Sequence, residues 1–336
     1  MTDSVQLDSL AQSQLTFGVG IPCPEPGYYP GVPQDVYLRW DACSKGKLQE
    51  IRRSPAHLKS NVIMGSGETD ALRYGSAQHM AILEPEIFGE RYKPKSRCVA
   101  LTGKGKGPRC ESNGKYLLAS GDMVCGTHVG DQPLNETVTL IDQDQYAACR
   151  AARANVSSKR RAANLVGAAG DFEISIVWDE QVEVLIGGEL VTVPLRMKGR
   201  LDHYSPDLDR GTILDLKTTE DASEEQFLRS IYKYSYHMQG GLYVRGCKAL
   251  GLPAQHFVIL ALEKKPPYEV GVFRLTSGAL DAGEELALKW MKLYARCKHL
   301  DDWPGYPDRV REIALPDWAW KATDDELQRA EEAWQI

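Results

Sequence analysis

Two short polar motifs near the middle of the chain constrain its fold and chemistry more than any other feature. Gly199-Arg200-Leu201-Asp202 is followed, after twelve residues, by Asp215-Leu216-Lys217, and both motifs lie at the ends of apolar runs typical of β-strands. Side chains two residues apart in a strand project from one face, so Asp215 and Lys217 are predicted to point the same way. If the two strands pair as a hairpin, Asp202 arrives beside them. The pattern therefore predicts two carboxylates and one ammonium group at one edge of a sheet.

Such a trio suits a divalent metal ion that acts on a phosphate ester. Mg²⁺ prefers oxygen ligands and keeps several waters. The ion lowers the pKa of water and offsets the charge that builds on the phosphate. A neighbouring lysine can orient that water or help to deprotonate it, and it can stabilise the pentavalent species. The alternative interpretation is an ion pair at the strand ends with no catalytic role.

The rest of the pattern predicts an α/β domain with a central sheet. Residues 1–35 are polar and then rich in Pro and Gly, which predicts a poorly ordered N-terminal arm. Residues 36–95 have a helical pattern and are predicted to form the helical part of this domain. Residues 96–132 are predicted to form a Cys/His-rich insert, and residues 133–336 the core of the domain with the C-terminal helices. Gly187-Gly188 lies between two apolar runs and predicts a β-hairpin. Single helices are predicted at 142–167 and from about Ser223 to Leu250.

Composition limits the class of protein but leaves its partner open. The 336 residues are 43% hydrophobic and 26% charged, as in ordinary globular proteins, and no apolar run reaches the ~18 residues of a membrane span. The N-terminus lacks the basic start and apolar run of a secretory signal, so we expect a cytoplasmic protein without a membrane partner. A net charge of −6 excludes a uniformly basic surface, although a local basic surface can still bind nucleic acid.

The insert contains a second candidate metal site. Its ligands would be Cys98, Cys110, Cys125 and His128, in the spacing C-x11-C-x14-C-x2-H. Structural Zn²⁺ takes four such ligands tetrahedrally, and a segment with so few apolar residues could obtain its folding energy from the metal. The pattern resembles small zinc knuckles. An iron–sulfur cluster, which uses four cysteines, and a loop without metal are the alternatives.

The same segment is basic. Between residues 93 and 115 the only acid is Glu111, against the lysines and arginines Lys93, Lys95, Arg97, Lys104, Lys106, Arg109 and Lys115. Such a cluster can grip phosphates without reading sequence. A solvated loop is the alternative.

The motif Gly199-Arg200-Leu201-Asp202, followed by Asp215-Leu216-Lys217, resembles the PD-(D/E)xK nuclease signature. Leu201 stands where the name of the signature has a proline. Gln239 and Tyr243, four residues apart on one helix face, resemble the Q-x-x-x-Y motif of the RecB-type and phage exonuclease branch. The segment around His79 and the tail WPGY…IALPDWAWKA resemble the RecE-type (exodeoxyribonuclease VIII-like) exonucleases of phages and prophages. The resemblance covers roughly residues 35–95 and 170–320, and the Cys/His-rich insert is not part of the usual pattern.

The resemblance implies a restriction-endonuclease-like core, with a central mixed sheet flanked by helices, and a defined active site. The implied site residues are His79, Glu173, Asp202, Asp215, Lys217, Gln239 and Tyr243. Mg²⁺ or Mn²⁺ would be held by His79, Asp202, Asp215 and the backbone carbonyl of Leu216. Gln239 and Tyr243 would position DNA or orient the lysine, and Glu173 could lie near the metal or form a strand-end salt bridge.

The resemblance also implies a biological role. The implied protein is a DNA exonuclease that is encoded by a phage or prophage and acts in a bacterial host cell. It would resect double-stranded DNA ends in the 5′-to-3′ direction, which leaves single strands for recombination by annealing. A ring-shaped homo-oligomer and a single-strand annealing protein as partner are implied with it. An endonuclease or single-strand-specific nuclease of the same fold, and a non-catalytic DNA-binding protein built on that fold, are the alternatives.

Overall fold

The computed structural model of this protein describes residues 20–64, 70–102 and 106–334. The chain divides into two compact units, one that ends at Trp303 and one formed by Pro304–Ile336. The first unit contains the central sheet and the insert. No helix in the described residues combines the length and apolarity needed to cross a membrane.

The helices of the described residues are numbered in chain order. They are α1 Gln34–Arg39, α2 Lys45–Arg53, α3 Pro55–Met64, α4 Asp70–Leu83, α5 Pro85–Arg91, α6 Gln143–Ser158, α7 Arg160–Val166, α8 Glu224–Lys233, α9 Tyr236–Ala249, α10 Ser277–Leu300 and α11 Asp317–Trp334. The strands are β1 Gly27–Tyr29, β2 Tyr92–Pro94, β3 Tyr116–Leu117, β4 Met123–Val124, β5 Thr139–Ile141, β6 Asp171–Ile186, β7 Glu189–Ser205, β8 Thr212–Thr219, β9 His256–Glu263 and β10 Val270–Arg274.

A six-stranded mixed sheet with the order β1-β6-β7-β8-β9-β10 forms the centre of the first unit. All neighbours are antiparallel except β8 and β9, whose parallel pairing requires the crossover that α8 and α9 provide. The predicted fold class, a mixed sheet flanked by helices, is confirmed. The predicted hairpin is also confirmed: β6 and β7 turn at Gly187 and Gly188, whose φ values of 60° and 91° lie in the left-handed region that glycine adopts easily.

The prediction of one long helix from Ser223 to Leu250 is wrong, because the chain breaks between α8 and α9. Ser235 adopts a left-handed backbone conformation with φ 54° and is almost fully buried. Its hydroxyl accepts a hydrogen bond of 2.8 Å from Arg52 in α2, which ties that helix to the break. The predicted helix at 142–167 is likewise divided, at Lys159, into α6 and α7.

Residues 20–35 of the N-terminal arm are more ordered than their composition predicts. Its first 19 residues lie outside the described residues, but Gly27–Tyr29 form β1, which pairs with β6 at the edge of the sheet. The Tyr28 hydroxyl donates a hydrogen bond of 2.7 Å to Asp171, and Tyr29 packs edge-on against Trp40. Aromatic contacts and strand pairing therefore order a segment whose Pro and Gly content predicted disorder.

A buried lysine joins the N-terminal segment to the sheet. Lys198 in β7 is 4% exposed, and its ammonium group donates to the carbonyl oxygens of Tyr37, Leu38 and Trp40 at 2.7, 3.1 and 2.8 Å. These carbonyls lie at the C-terminal end of α1, and those of Tyr37 and Trp40 also accept from the N–H groups of Trp40 and Ala42. Burial, and then the charge of Lys47, lower the pKa of Lys198 to about 8.

Replacing Lys198 with Met should lower the free energy of unfolding by about 3 kcal/mol, because three hydrogen bonds from a charged donor are lost. Urea unfolding followed by circular dichroism measures the change. Lys159→Met is the control, since Lys159 forms an exposed ion pair with Glu269 and its loss should matter much less. Equal effects of the two substitutions would contradict this account of Lys198.

Candidate functional site

The register of three neighbouring strands brings the sequence motifs together. In the β7–β8 pair, His203 lies opposite Leu214, which sets Asp202 beside Asp215. In the β6–β7 pair, Phe172 lies opposite His203 and Ile174 lies opposite Leu201, so Glu173 lies opposite Asp202. The convergence predicted for the two aspartates and Lys217 is therefore observed.

A helix completes a group of possible metal ligands. His79 in α4 approaches the strands, and its Nδ1 lies 3.7 Å from Oδ2 of Asp202. One donor atom from each of His79, Glu173 and Asp202 lies within 4.8 Å of the other two. Two carboxylates and one imidazole at this separation fit a single divalent ion such as Mg²⁺ or Mn²⁺.

The protonation states in this group favour a cation. Burial, and then the negative charge of Asp215, raise the pKa of Asp202 well above its usual range. Two carboxylates thus repel one another where water screens them poorly, and a bound cation would relieve the repulsion. Burial, and then the positive charge of Lys217, lower the pKa of His79, which keeps the imidazole in the neutral form that binds metals.

Asp215 has partners of its own. Its Oδ2 lies 2.5 Å from the ammonium nitrogen of Lys217, and its Oδ1 accepts a hydrogen bond of 2.5 Å from Gln239. Asp215 therefore lies next to the group formed by His79, Glu173 and Asp202 rather than within it. Burial lowers the pKa of Lys217, but the charges of Asp215 and Asp202 outweigh burial, so that the pKa is raised and the ammonium form is favoured.

The backbone of Leu216 also takes part. Its N–H donates a hydrogen bond of 2.7 Å to Oδ2 of Asp202. A backbone hydrogen bond with Leu216 also favours the charged form of His79. Leu216, whose carbonyl the resemblance implies as a metal ligand, is thus in contact with two of the side chains that would share the ion.

Gln239 and Tyr243 lie on one face of α9, as predicted, and both are buried, with 6% and 7% exposure. Gln239 holds Asp215. The Tyr243 ring lies against Gly199, where an added Cβ would come within 3.0 Å of it, which explains why the motif has glycine at this position. Gln239 thus holds a site residue and Tyr243 packs against β7; neither offers DNA an exposed surface.

Glu173 combines the two roles considered for it. Its Oε2 accepts a hydrogen bond of 2.8 Å from Arg200, and it also belongs to the group of possible metal ligands. Arg200 is held further by the Ser175 hydroxyl at 3.1 Å and the Val32 carbonyl at 2.9 Å. Glu173 has a left-handed backbone with φ 51°, a conformation that costs about 1–3 kcal/mol in residues other than glycine and is found disproportionately at functional sites.

Sequence reasoning missed Lys45, the first residue of α2. Its ammonium nitrogen lies 5.8 Å from the centre of the Tyr236 ring, and that of Lys217 lies 5.2 Å from the same ring. Burial, and then the charge of Lys217, lower the pKa of Lys45 to about 8. The neighbouring Ser44 is a residue type that favours a helix N-cap, and its hydroxyl accepts a hydrogen bond from the Lys47 N–H; such a signal indicates a helix start rather than a functional site.

The insert brings its four predicted ligands together. The His128 Nδ1 lies 3.5 Å from the Cys98 sulfur and 3.3 Å from the Cys125 sulfur, and the sulfurs of Cys110 and Cys125 are 4.0 Å apart. Sulfurs bound tetrahedrally to one zinc at ~2.3 Å are about 3.8 Å apart, whereas a disulfide would bring them to ~2.05 Å. The geometry therefore fits a metal site and not a disulfide.

The small core of the insert consists largely of these cysteines. Its buried members are Cys98, Cys110, Leu118, Val124 and Cys125. Burial raises the pKa of the Cys125 thiol, but hydrogen bonds from the Thr127 and His128 backbone and from the His128 ring outweigh burial and lower it to about 6. A thiolate, the form that binds metals, is thus favoured near neutral pH.

Comparison with known proteins identifies the family. Residues 44–314 match the family model of a PDDEXK-like domain of unknown function, DUF3799, which includes both candidate metal sites. This match confirms the resemblance to PD-(D/E)xK nucleases. No curated protein matches the sequence.

Solved structures show more distant similarity. A protein from Eubacterium rectale, named "Putative exonuclease", has 13% sequence identity and a TM-score of 0.48 over 84% of this chain and 93% of that one. The protein SSO0001 has 14% identity and a TM-score of 0.25 over 40% of this chain and 55% of that one.

Replacing Asp202 with Asn should stabilise the metal-free protein by about 1–2 kcal/mol, because one of two repelling carboxylates is removed while the oxygen that accepts from Leu216 remains. The raised pKa of Asp202 means that the wild type loses stability, relative to the variant, as the pH rises from the usual carboxyl range towards the raised value. Thermal unfolding in alkaline EDTA buffer measures the difference.

Added Mn²⁺ should raise the melting temperature of the wild type and leave that of the Asp202→Asn variant nearly unchanged. Asp179→Asn is the control, because it removes an exposed carboxylate paired with Arg196 and should not stabilise the protein. A wild type that is more stable than Asp202→Asn in EDTA at every pH would contradict the proposed repulsion.

Proposed function

We propose that this chain, which belongs to the PDDEXK-like family DUF3799 and carries its nuclease-like domain, is a metal-dependent deoxyribonuclease that degrades double-stranded DNA from its ends. The proposal rests above all on the meeting of His79, Glu173 and Asp202 next to the Asp215–Lys217 pair. A nuclease needs such a set: oxygen and nitrogen ligands for a divalent ion, and a cation beside them for phosphate.

The ligand set fits Mg²⁺ or Mn²⁺. His79, Glu173 and Asp202 supply three donors, and Asp215 and the Leu216 backbone lie next to them. When bound, a divalent ion supplies Lewis-acid chemistry: it polarises a phosphate oxygen and lowers the pKa of water.

The remaining residues act on the phosphate and on one another. Lys217 remains an ammonium group, so its proposed role is to donate a hydrogen bond and stabilise negative charge on the phosphate rather than to serve as a base. Gln239 fixes the Asp215 carboxylate, and Arg200 fixes Glu173. These side chains hold the charged groups in position before the substrate binds, which reduces the reorganisation needed during the reaction.

The finer features of the proposal rest on the resemblance to RecE-type exonucleases. These features are action on double-stranded ends, 5′-to-3′ polarity, a ring-shaped homo-oligomer, and a role in recombination with a single-strand annealing protein. The segments around His79 and around Gln239 and Tyr243 support that resemblance. A phage or prophage origin and action in the bacterial cytoplasm follow from the same source.

The purified protein should shorten linear duplex DNA in Mg²⁺, release a 5′-terminal label before a 3′-terminal one, and leave closed circular DNA intact. Asp215→Ala and Lys217→Ala should each reduce the rate by at least about 100-fold, since Lys217 supplies positive charge for the phosphate and Asp215 holds that ammonium group next to the metal ligands. Gel analysis of end-labelled duplexes over time measures the first two properties, and a stained gel of the closed circle measures the third.

Lys159→Ala serves as a control for these variants, because Lys159 forms an exposed ion pair with Glu269. Cleavage of the closed circle would indicate an endonuclease instead. Full activity in either Asp215→Ala or Lys217→Ala would refute the assignment of the site.

We further propose that Cys98, Cys110, Cys125 and His128 bind one structural Zn²⁺. Sulfur and nitrogen donors at tetrahedral separations support zinc, and a closed set of four ligands leaves no open position for substrate. The histidine favours zinc over an iron–sulfur cluster with four cysteine ligands. In this proposal the ion supplies folding energy that the small core of the insert lacks.

Elemental analysis of purified protein should find about one zinc per chain. Cys110→Ala should lose the zinc and make the insert susceptible to proteolysis, because the metal no longer holds it together. Cys149→Ala is the matched control: Cys149 is also buried, but it lies outside the four ligands. Zinc retained by Cys110→Ala, or iron in place of zinc, would contradict the proposal.

A further inference from the structure

Lys45 is a partly buried cation beside the candidate active site. The lysine is only partly exposed, and within the part of the chain that the structure describes it forms no ion pair or hydrogen bond through its side chain. Its one contact of note is the face of the Tyr236 ring at 5.8 Å. Lys217, by contrast, is paired with Asp215.

The position of Lys45 is fixed by the surrounding helices. Arg52, farther along α2, donates a hydrogen bond of 2.8 Å to the buried Ser235, which immediately precedes Tyr236. Tyr236 is the first residue of α9, the helix that also carries Gln239. The ammonium group of Lys45 is therefore held near the site by the same helix that positions Asp215.

The charges around the Tyr236 ring are unbalanced. Two ammonium groups, from Lys45 and Lys217, lie over one ring, and Asp215 supplies a single carboxylate that Lys217 already binds. A cation–π contact gives about 0.5–2 kcal/mol, which offsets little of the cost of burying an unpaired charge. An anion that enters the site would provide the missing partner.

We propose that Lys45 binds a phosphate group of the nucleic-acid strand that enters the site, next to the phosphate contacted by Lys217 or at that same phosphate. The inference rests on the proposed nuclease function, for which a phosphodiester is the anion that the substrate brings. It adds a substrate-binding residue from α2, outside the sheet motifs and α9. As a point charge, Lys45 would bind the backbone without reading the bases.

The test compares Lys45→Gln with Lys47→Gln, a lysine two positions along the same helix that is paired with Asp41 instead. Affinity for a fluorescent duplex is measured in Ca²⁺, with intact DNA verified on a gel, across a salt series. Loss of one phosphate contact should reduce the slope of log affinity against log salt by about 0.7–0.9. From 50 to 200 mM salt the wild type should then lose about threefold more affinity than Lys45→Gln.

Lys47→Gln should keep the wild-type slope, and Lys45→Arg, which retains the charge, should restore it. A slope for Lys45→Gln equal to that of the wild type would overturn the inference. If Lys45→Gln does not fold, Lys45→Met preserves the aliphatic stem and takes its place in the comparison.

The two proposals fail in distinguishable ways. If the wild type neither binds nor degrades duplex DNA in any divalent metal, the nuclease function itself is wrong. If the wild type degrades DNA and Asp215→Ala does not, but Lys45→Gln binds with the wild-type slope, only the role of Lys45 is wrong.

Discussion

The repulsion between Asp202 and Asp215 is the constraint on which the site depends. The β7–β8 register, reinforced by the hydrogen bond from the Leu216 N–H to Asp202, holds the two carboxylates together where water screens them poorly. Strand pairing can impose such a contact because its stability comes from the core and not from the site: three residue pairs join β7 to β8, and β8 pairs with β9 along its whole length. The core includes Trp178, Leu195 and Met197 on β6 and β7, all fully buried, so the sheet can carry an unfavourable charge arrangement at one edge.

The carboxylates of the site differ in the partners that offset their negative charge. Lys217 forms an ion pair with Asp215, Gln239 donates a hydrogen bond to Asp215, and Arg200 pairs with Glu173. Among the described residues, the close contacts of Asp202 are the Leu216 N–H and the neutral His79 ring, while the charge of Lys217 acts on it without an ion pair. Asp202 is thus the carboxylate with the greatest need of a cation, and it is the one that His79 and Glu173 surround. This arrangement explains why a divalent ion would bind at that point and not on the far side of Asp215.

The sequence predicted those parts of the site that depend on local pattern. Strand periodicity placed Asp215 and Lys217 on one face, and helical spacing placed Gln239 and Tyr243 together. Contacts between distant segments could not be read in this way: Lys45 reaches the site because Arg52 binds Ser235, 183 residues away. The break at Ser235 escaped prediction for the same reason, since tertiary contacts and not local propensity stabilise its left-handed backbone. The order of residues 27–29 likewise depends on β6, which follows them by more than 140 residues.

The two candidate metal sites of the chain differ in the chemistry of their donors, and this difference would keep their ions apart. Carboxylate oxygens at the sheet edge, of which Glu173 and Asp202 are two, favour Mg²⁺ or Mn²⁺, whereas the three sulfurs of the insert favour zinc. A zinc ion that entered the sheet site would find one imidazole and no thiolate there, while Mg²⁺ would find no oxygen ligand among the four side chains of the insert. The insert follows β2 in the chain and ends before β5, and these two strands pair with each other. Tyr92 of β2 and Ile141 of β5 belong to a small core that also contains Phe88 and residues of α4. Metal binding in the insert would therefore stabilise the small core against which α4, the helix that carries His79, packs. The ion in the insert and the ion near His79 would remain separate.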